Sequence, residues 1–242
     1  MWLRLLSIIG CVACASGPPH RLRIHDQYEV GEDPTILVAS RESSSGDAVL
    51  VITRPGGSTV QQAVTLRAPQ TNVRFNANAP VSSAREPTFT EIGDYRVELR
   101  TGETILAREE IRISIDRLTT IFGGDEIASF APVTRYARAR QNKQQHWKSY
   151  GALYEHTLRP GTQIHVLIEE PGDALRDAWK AYEEEGTLGV IENNNVRFRE
   201  RAGSVSASWI SGTKIIAMRA AVLDDFQRGF IAHFLARYPS SL

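Results

Sequence analysis

Cysteine is almost missing from this sequence. Its two copies, Cys11 and Cys14, lie in the first fifteen residues, and positions 15 to 242 have none. That excludes a structural disulfide framework for the body of the chain. Net charge is missing too: 28 basic and 28 acidic side chains cancel, so no global field calls for nucleic acid or an anionic surface. Lysine is scarce, with Lys143, Lys148, Lys180 and Lys214 the only four. No apolar run after the leader approaches the roughly 20 residues of a membrane-spanning helix. The six histidines show no i, i+4 pair, and no HExxH occurs, so no zinc motif is present. Gly-x-Ser-x-Gly is absent, and Gly123-Gly124 leads into no Gly-Lys-Ser/Thr, which removes the hydrolase elbow and the phosphate loop. The sequence therefore offers no catalytic residue, no metal ligand set and no cofactor.

What is present begins with an address. Arg4 precedes the apolar run Leu5 to Ala13, interrupted only by Ser7 and Gly10, which is the form of a short signal peptide over residues 1–15. Two readings of its end compete. Ala13-Cys14-Ala15 fits an A-x-A site with cleavage before Ser16. Cys11-Val12-Ala13-Cys14 resembles a bacterial lipobox, which implies lipidation of Cys14; Ile8-Ile9-Gly10-Cys11 carries similar letters and would place the lipid on Cys11. Ser16-Gly17-Pro18-Pro19 then reads as a tether over residues 16–19. An exported body free of cysteine points to bacteria, since secreted animal domains of this size usually carry disulfides. The resemblance to exported bacterial lipoproteins implies an anchor in the envelope, with the outer membrane facing the periplasm as the expected place. A periplasmic or secreted form is the outcome if no lipid is attached.

Residues 20–116 are rich in short β-branched and aromatic runs separated by turns. Leu22–Ile24, Thr35–Val38, Ala48–Thr53, Thr59–Arg67, Val73–Phe75, Phe89-Thr90, Tyr95–Leu99 and Ile105–Ile115 are the expected strands, and Thr101-Gly102-Glu103 makes the last two a hairpin. Seven or eight such strands predict an antiparallel β-sandwich. Ile92-Gly93-Asp94-Tyr95-Arg96-Val97 resembles the Gly-x-Tyr segment of immunoglobulin-like domains. The resemblance implies that Tyr95 bonds nearby backbone and is structural. Val97 stands where a second cysteine would stand in antibody domains, so the likeness is to bacterial immunoglobulin-like sandwiches.

Residues 117–242 read as a separate α+β domain with a mostly antiparallel sheet and two amphipathic helices. Gly161–Glu169 is an expected strand, and Asp173 the expected cap of a helix carrying Leu175, Ala178, Trp179 and Tyr182. Strands are expected over Leu188–Ile191, Val196–Arg199, Val205–Ile210 and Lys214–Met218. A final helix runs through Leu223, Phe226, Phe230, Ile231, Phe234 and Leu235 to Pro239. Between Ile127 and Leu153 no acidic residue occurs. Arg135, Arg138 and Arg140 there accompany Trp147, Tyr150 and Tyr154, a basic and aromatic mixture able to bind anions or glycans. The competing reading of that segment is a solvated basic loop or helix face with docked aromatics.

The expectation is a non-enzymatic envelope lipoprotein that binds another envelope protein, a peptide or a glycan, with Arg135 to Tyr154 as its binding face and no nucleic-acid partner. One alternative is an envelope hydrolase using carboxylates such as Glu169 or Glu170. Another is a structural spacer.

Overall fold

Short β-branched and aromatic runs between turns favour strands, and the computed structural model has seven of them between His20 and Ile113. It describes residues 19–25, 27–40, 46–76, 86–123, 126–142, 145–184 and 186–242. The leader with Cys11 and Cys14, and the tether up to Pro18, lie outside the described residues.

Strands β1 (His20–Ile24), β2 (Thr35–Ser40) and β5 (Gln70–Arg74) form a three-stranded sheet ordered β1-β2-β5. Strands β3 (Gly46–Thr53), β4 (Thr59–Leu66), β6 (Gly93–Thr101) and β7 (Thr104–Ile113) form a four-stranded sheet ordered β4-β3-β6-β7. All pairings are antiparallel. Leu22, Ile36, Val38 and Val73 of one sheet share a buried core with Leu50, Ile52, Val97, Leu99 and Ile113 of the other, an arrangement consistent with a β-sandwich. Phe89-Thr90, expected as a strand, is irregular; Phe89 is nonetheless fully buried against the Tyr95 ring, centroids 5.0 Å apart. The Tyr95 hydroxyl accepts from the Thr90 and Glu91 amides at 3.1 Å and donates to the Glu91 carbonyl at 2.9 Å. A buried phenol satisfied by backbone in this way is a structural anchor.

Helix α1 (Leu118–Phe122) follows, then β8 (Phe130–Asn142) and β9 (Gln145–His156), a long hairpin. The segment that the sequence presents as a basic loop or helix face is thus strand. Its alternation is disguised by a register shift between Pro132 and Thr134, and neither face is bare: Tyr136 and Ala137, adjacent in sequence, are both buried. Next come β10 (Gln163–Glu170), α2 (Leu175–Glu183), β11 (Thr187–Ile191), β12 (Asn194–Arg201), β13 (Ser204–Ser211), β14 (Lys214–Ala220) and α3 (Asp225–Arg237). The strands make one seven-stranded antiparallel sheet ordered β11-β12-β13-β14-β10-β9-β8.

Helix α3 opens on a capping box, with Asp224 accepting from the Phe226 and Gln227 amides and Gln227 reaching back to the Asp224 amide. Its Phe230, Ile231, Phe234 and Leu235 pack onto Tyr154, Val166, Met218 and Trp209 in the main core. The opposite, outer face of the sheet is partly covered by α2, whose Ala178 and Trp179 pack on Ile215, with Trp147, Tyr182 and Ile210 around them. Asp173 does not cap α2. Pro171 turns the chain into a short 3₁₀ segment, Gly172–Ala174, and Ala174 takes the cap position without a side-chain bond.

Candidate functional site

The two halves of the chain meet at Gly31. Its φ is +93°, and a Cβ there would lie 2.8 Å from the Ala137 nitrogen and 2.5 Å from Leu118 Cδ1. Only glycine permits both the conformation and the approach. Its amide donates to the Phe89 carbonyl at 2.6 Å, and its carbonyl accepts from Ala137 at 2.8 Å. The loop before β2 is thereby joined directly to β8.

Beside this joint opens a cleft of about 1080 Å³, large enough for a small molecule or a few residues of peptide. Tyr28, Glu29, Glu32, Asp33, Arg74 and Arg112 line it from the first half, and Ala137, Arg138, Ala139 and Lys148 from the hairpin β8–β9. Glu29 and Glu32 are both 7% exposed and share Lys148, whose Nζ donates to Glu29 Oε1 at 2.6 Å and lies 3.4 Å from Glu32 Oε1. Two buried carboxylates and one ammonium leave an excess negative charge. Burial, aided by the neighbouring Glu29, pushes the Glu32 carboxyl up despite Lys148 and the Glu29 amide. Asp33 serves the loop instead: its Oδ1 accepts from Asn76, the Thr88 amide and the Thr88 hydroxyl, tying the two segments together.

From Glu29 a polar chain runs into the seven-stranded sheet. The Tyr150 hydroxyl donates to Glu29 Oε2 at 3.3 Å and accepts from Arg117 Nη1 at 2.9 Å. Arg117 Nη2 then meets Glu170 at 2.8 Å, and Lys214 holds the same carboxylate. Burial, with Glu29 adding to it, raises the Tyr150 hydroxyl well above the usual phenol range, so it stays protonated and bridges.

These contacts settle where the expected site residues sit. Tyr150 and Tyr154 are fully buried, Tyr154 between Phe230 and Phe234 of α3. Trp147 packs under α2. Arg135 borders a second hollow of about 450 Å³ with Val30, Thr90 and Asp116. Arg138 lies over the Tyr136 ring, 4.8 Å from its centroid, and is among the residues that line the cleft. The side chain of Arg140 and all of Cys14 fall outside the described residues. The five described side chains do not converge, because alternate residues of a strand point to opposite faces. Glu170 is neutralised by two cations, and Glu169, 5% exposed, accepts from the Tyr182 hydroxyl at 3.3 Å; the two carboxylates likewise face opposite sides of β10. Among the described residues no group of three or more His, Cys, Asp or Glu side chains is arranged to hold a metal, and no helix is long and apolar enough to cross a membrane.

Of the described residues that line the cleft, Arg138 is one of the expected six; the others were missed because their signal is faint. Tyr28-Glu29-Val30-Gly31-Glu32-Asp33 reads as an ordinary polar loop, and only its three carboxylates around a glycine mark it. No protein-family model matches this chain, and no curated protein matches it.

Proposed function

We propose that this protein is an exported, lipid-anchored component of a bacterial envelope that captures a peptide in the cleft between its first and second halves. In this reading residues 20–116 are an immunoglobulin-like sandwich, residues 117–242 an α+β unit, and Cys14 the lipidated residue. The observation that carries the reading is the cleft, with its buried acidic pair on one side and Arg74 and Arg112 among its lining. A peptide amine or basic side chain suits the excess negative charge at Glu29 and Glu32, and a carboxylate suits the arginines.

The experiment expresses the chain with its leader in a bacterial host and titrates the purified protein with a library of short unstructured peptides. Intact mass is expected to show an acylated Cys14 that a Cys14→Ser control loses. Peptide binding is expected to weaken in Arg74→Glu with Arg112→Glu and in Glu32→Gln. An unlipidated chain beginning at Ser16 overturns the anchor, and binding indifferent to all three substitutions overturns the cleft. A second reading, an envelope hydrolase, is favoured by Glu32, since a carboxyl raised by burial in a cleft suits a general acid. It requires turnover of a peptide or glycoside that Glu32→Gln abolishes.

A further inference from the structure

Strand β8 ends the seven-stranded sheet, with β9 on one side and no strand on the other. The Ala137 amide donates to the Gly31 carbonyl and not to β9, so the backbone of Ala137 points away from the sheet. In an antiparallel ladder such outward groups recur at every second residue, and the register with β9 runs unbroken from Thr134 to Asn142. The Ala139 amide and carbonyl therefore point outward as well. Among the described residues neither has a backbone partner, and Ala139 is exposed. Gly31 takes the edge at Ala137, and the next step along it is open.

The cleft lies along this edge. Ala137, Arg138 and Ala139 all line it. Consecutive side chains of a strand face opposite sides, so a cavity that touches all three runs beside the backbone. Ala137 and Ala139 share the face of Tyr150 and Lys148, their partners across the ladder, and on that face Lys148 holds Glu29 and Glu32. The two small side chains leave room above the strand on the way to those carboxylates. Arg138 points to the other face, over the Tyr136 ring, and has no ion pair among the described residues. An extended chain laid on this edge therefore meets excess negative charge on one side and a positive charge on the other. The strand at the far end of the same sheet, β11, is Thr-Leu-Gly-Val-Ile and carries no charge. A second copy adding that strand to β8 would leave both charges unanswered.

Resting on the cleft as a peptide site, we infer that the captured peptide binds as an added antiparallel strand on β8, with a basic residue opposite Ala139 and an acidic residue opposite Arg138. Its main chain exchanges two hydrogen bonds with Ala139, which gives affinity, while the alternating side chains give selectivity. The basic side chain reaches Glu29 and Glu32 beside Lys148 and balances their excess charge. The acidic one pairs with the planar fork of Arg138. Antiparallel addition is the more stable of the two pairings.

The test titrates the full chain with the end-capped peptide Val-Glu-Lys-Glu-Val and with copies N-methylated at one amide, which leave the protein itself untouched. In this register the lysine amide bonds the Ala139 carbonyl, and the glutamate amides point away. The lysine methyl is expected to weaken binding about fivefold or more, and a glutamate methyl to leave it unchanged. Arg138→Glu is expected to cost this peptide more than its glutamine counterpart, Val-Gln-Lys-Gln-Val. No loss from the lysine methyl, or an equal loss from the glutamate methyl, overturns strand addition. So does a peptide library that binds, and is lost in Arg74→Glu with Arg112→Glu, while the alternating peptide does not bind; capture in the cleft then still stands. Absence of binding by any peptide overturns both. Light scattering of the free chain addresses the rival occupant. Ala139→Pro removes an outward amide that an edge strand can spare, so a dimer that this variant dissociates would assign the edge to a second copy and overturn the inference.

Discussion

Replacing Gly31 with alanine tests the joint between the two halves. At φ +93°, an L side chain costs about 1–2 kcal/mol in backbone strain. The added Cβ also meets the Ala137 nitrogen and Leu118, and relieving that overlap by shifting β8 costs about 1–3 kcal/mol more. Gly57 supplies the control. Its φ is +86°, but nothing lies within 4 Å of its Cβ position, so Gly57→Ala has the strain without the overlap. The difference between the variants, about 1–3 kcal/mol, corresponds to roughly 2–12 °C of melting temperature for a chain of this size. Urea unfolding should be followed by circular dichroism and by tryptophan fluorescence together. Three of the four tryptophans, Trp147, Trp179 and Trp209, lie in the second half, so fluorescence reports on that half while dichroism sees both. Gly31→Ala is expected to lower stability beyond Gly57→Ala and to separate the two transitions. Equal losses, with the two probes still coincident, would refute the claim that the halves are joined at Gly31.

Other substitutions probe the charges and the core. Glu32 has its carboxyl raised above the ordinary value, so it is costly in the folded state once ionised, and stability falls as pH rises through that raised value. Glu32→Gln should therefore raise the melting temperature at neutral pH and leave it unchanged near pH 4; a lower neutral melting temperature would contradict this. Glu98 is the opposite case. Burial would raise its carboxyl, but Arg100 and Arg108 together hold it below the usual carboxylate range. Its contribution is present above that ordinary range and is lost as pH falls through the depressed value. Glu98→Gln should cost about 1–3 kcal/mol at pH 7, with the gap to the parent closing in acid. Tyr150→Ala should cost about 3–5 kcal/mol, as for other large aromatics removed from a core. A loss below about 1 kcal/mol would show that the ring is not a core element, since surface changes stay within about 0.5 kcal/mol.

Much of the fold was legible in the sequence because it rests on period. Ile111 and Ile113 alternate with Arg112 in β7, and Phe230, Ile231, Phe234 and Leu235 recur at helical spacing in α3. Turn residues did the rest, as at Thr101-Gly102-Glu103. The hairpin β8–β9 was not legible, because the register shift at Pro132 and burial of both Tyr136 and Ala137 erase the alternation. Tyr150 and Tyr154 carry the same ambiguity: an aromatic beside arginines has one composition whether it faces solvent or α3. The cleft was less legible still. Glu29 and Lys148 are 119 residues apart, and no local pattern announces that they meet. Even Gly31, the residue that allows the meeting, looks in sequence like any glycine in a loop.

The proposed peptide capture is tested most directly by photo-crosslinking, in the bacterial host that expresses the chain, from a reactive residue at Ile115. This position is 48% exposed and lines the cleft, whereas Ile105, 42% exposed, lies towards the other end of β7, about 30 Å away along the strand. A crosslinked peptide or protein segment is expected from Ile115, absent from Ile105 and reduced by Arg74→Glu with Arg112→Glu. Crosslinks of equal yield from both positions, or none from Ile115, would contradict capture in the cleft.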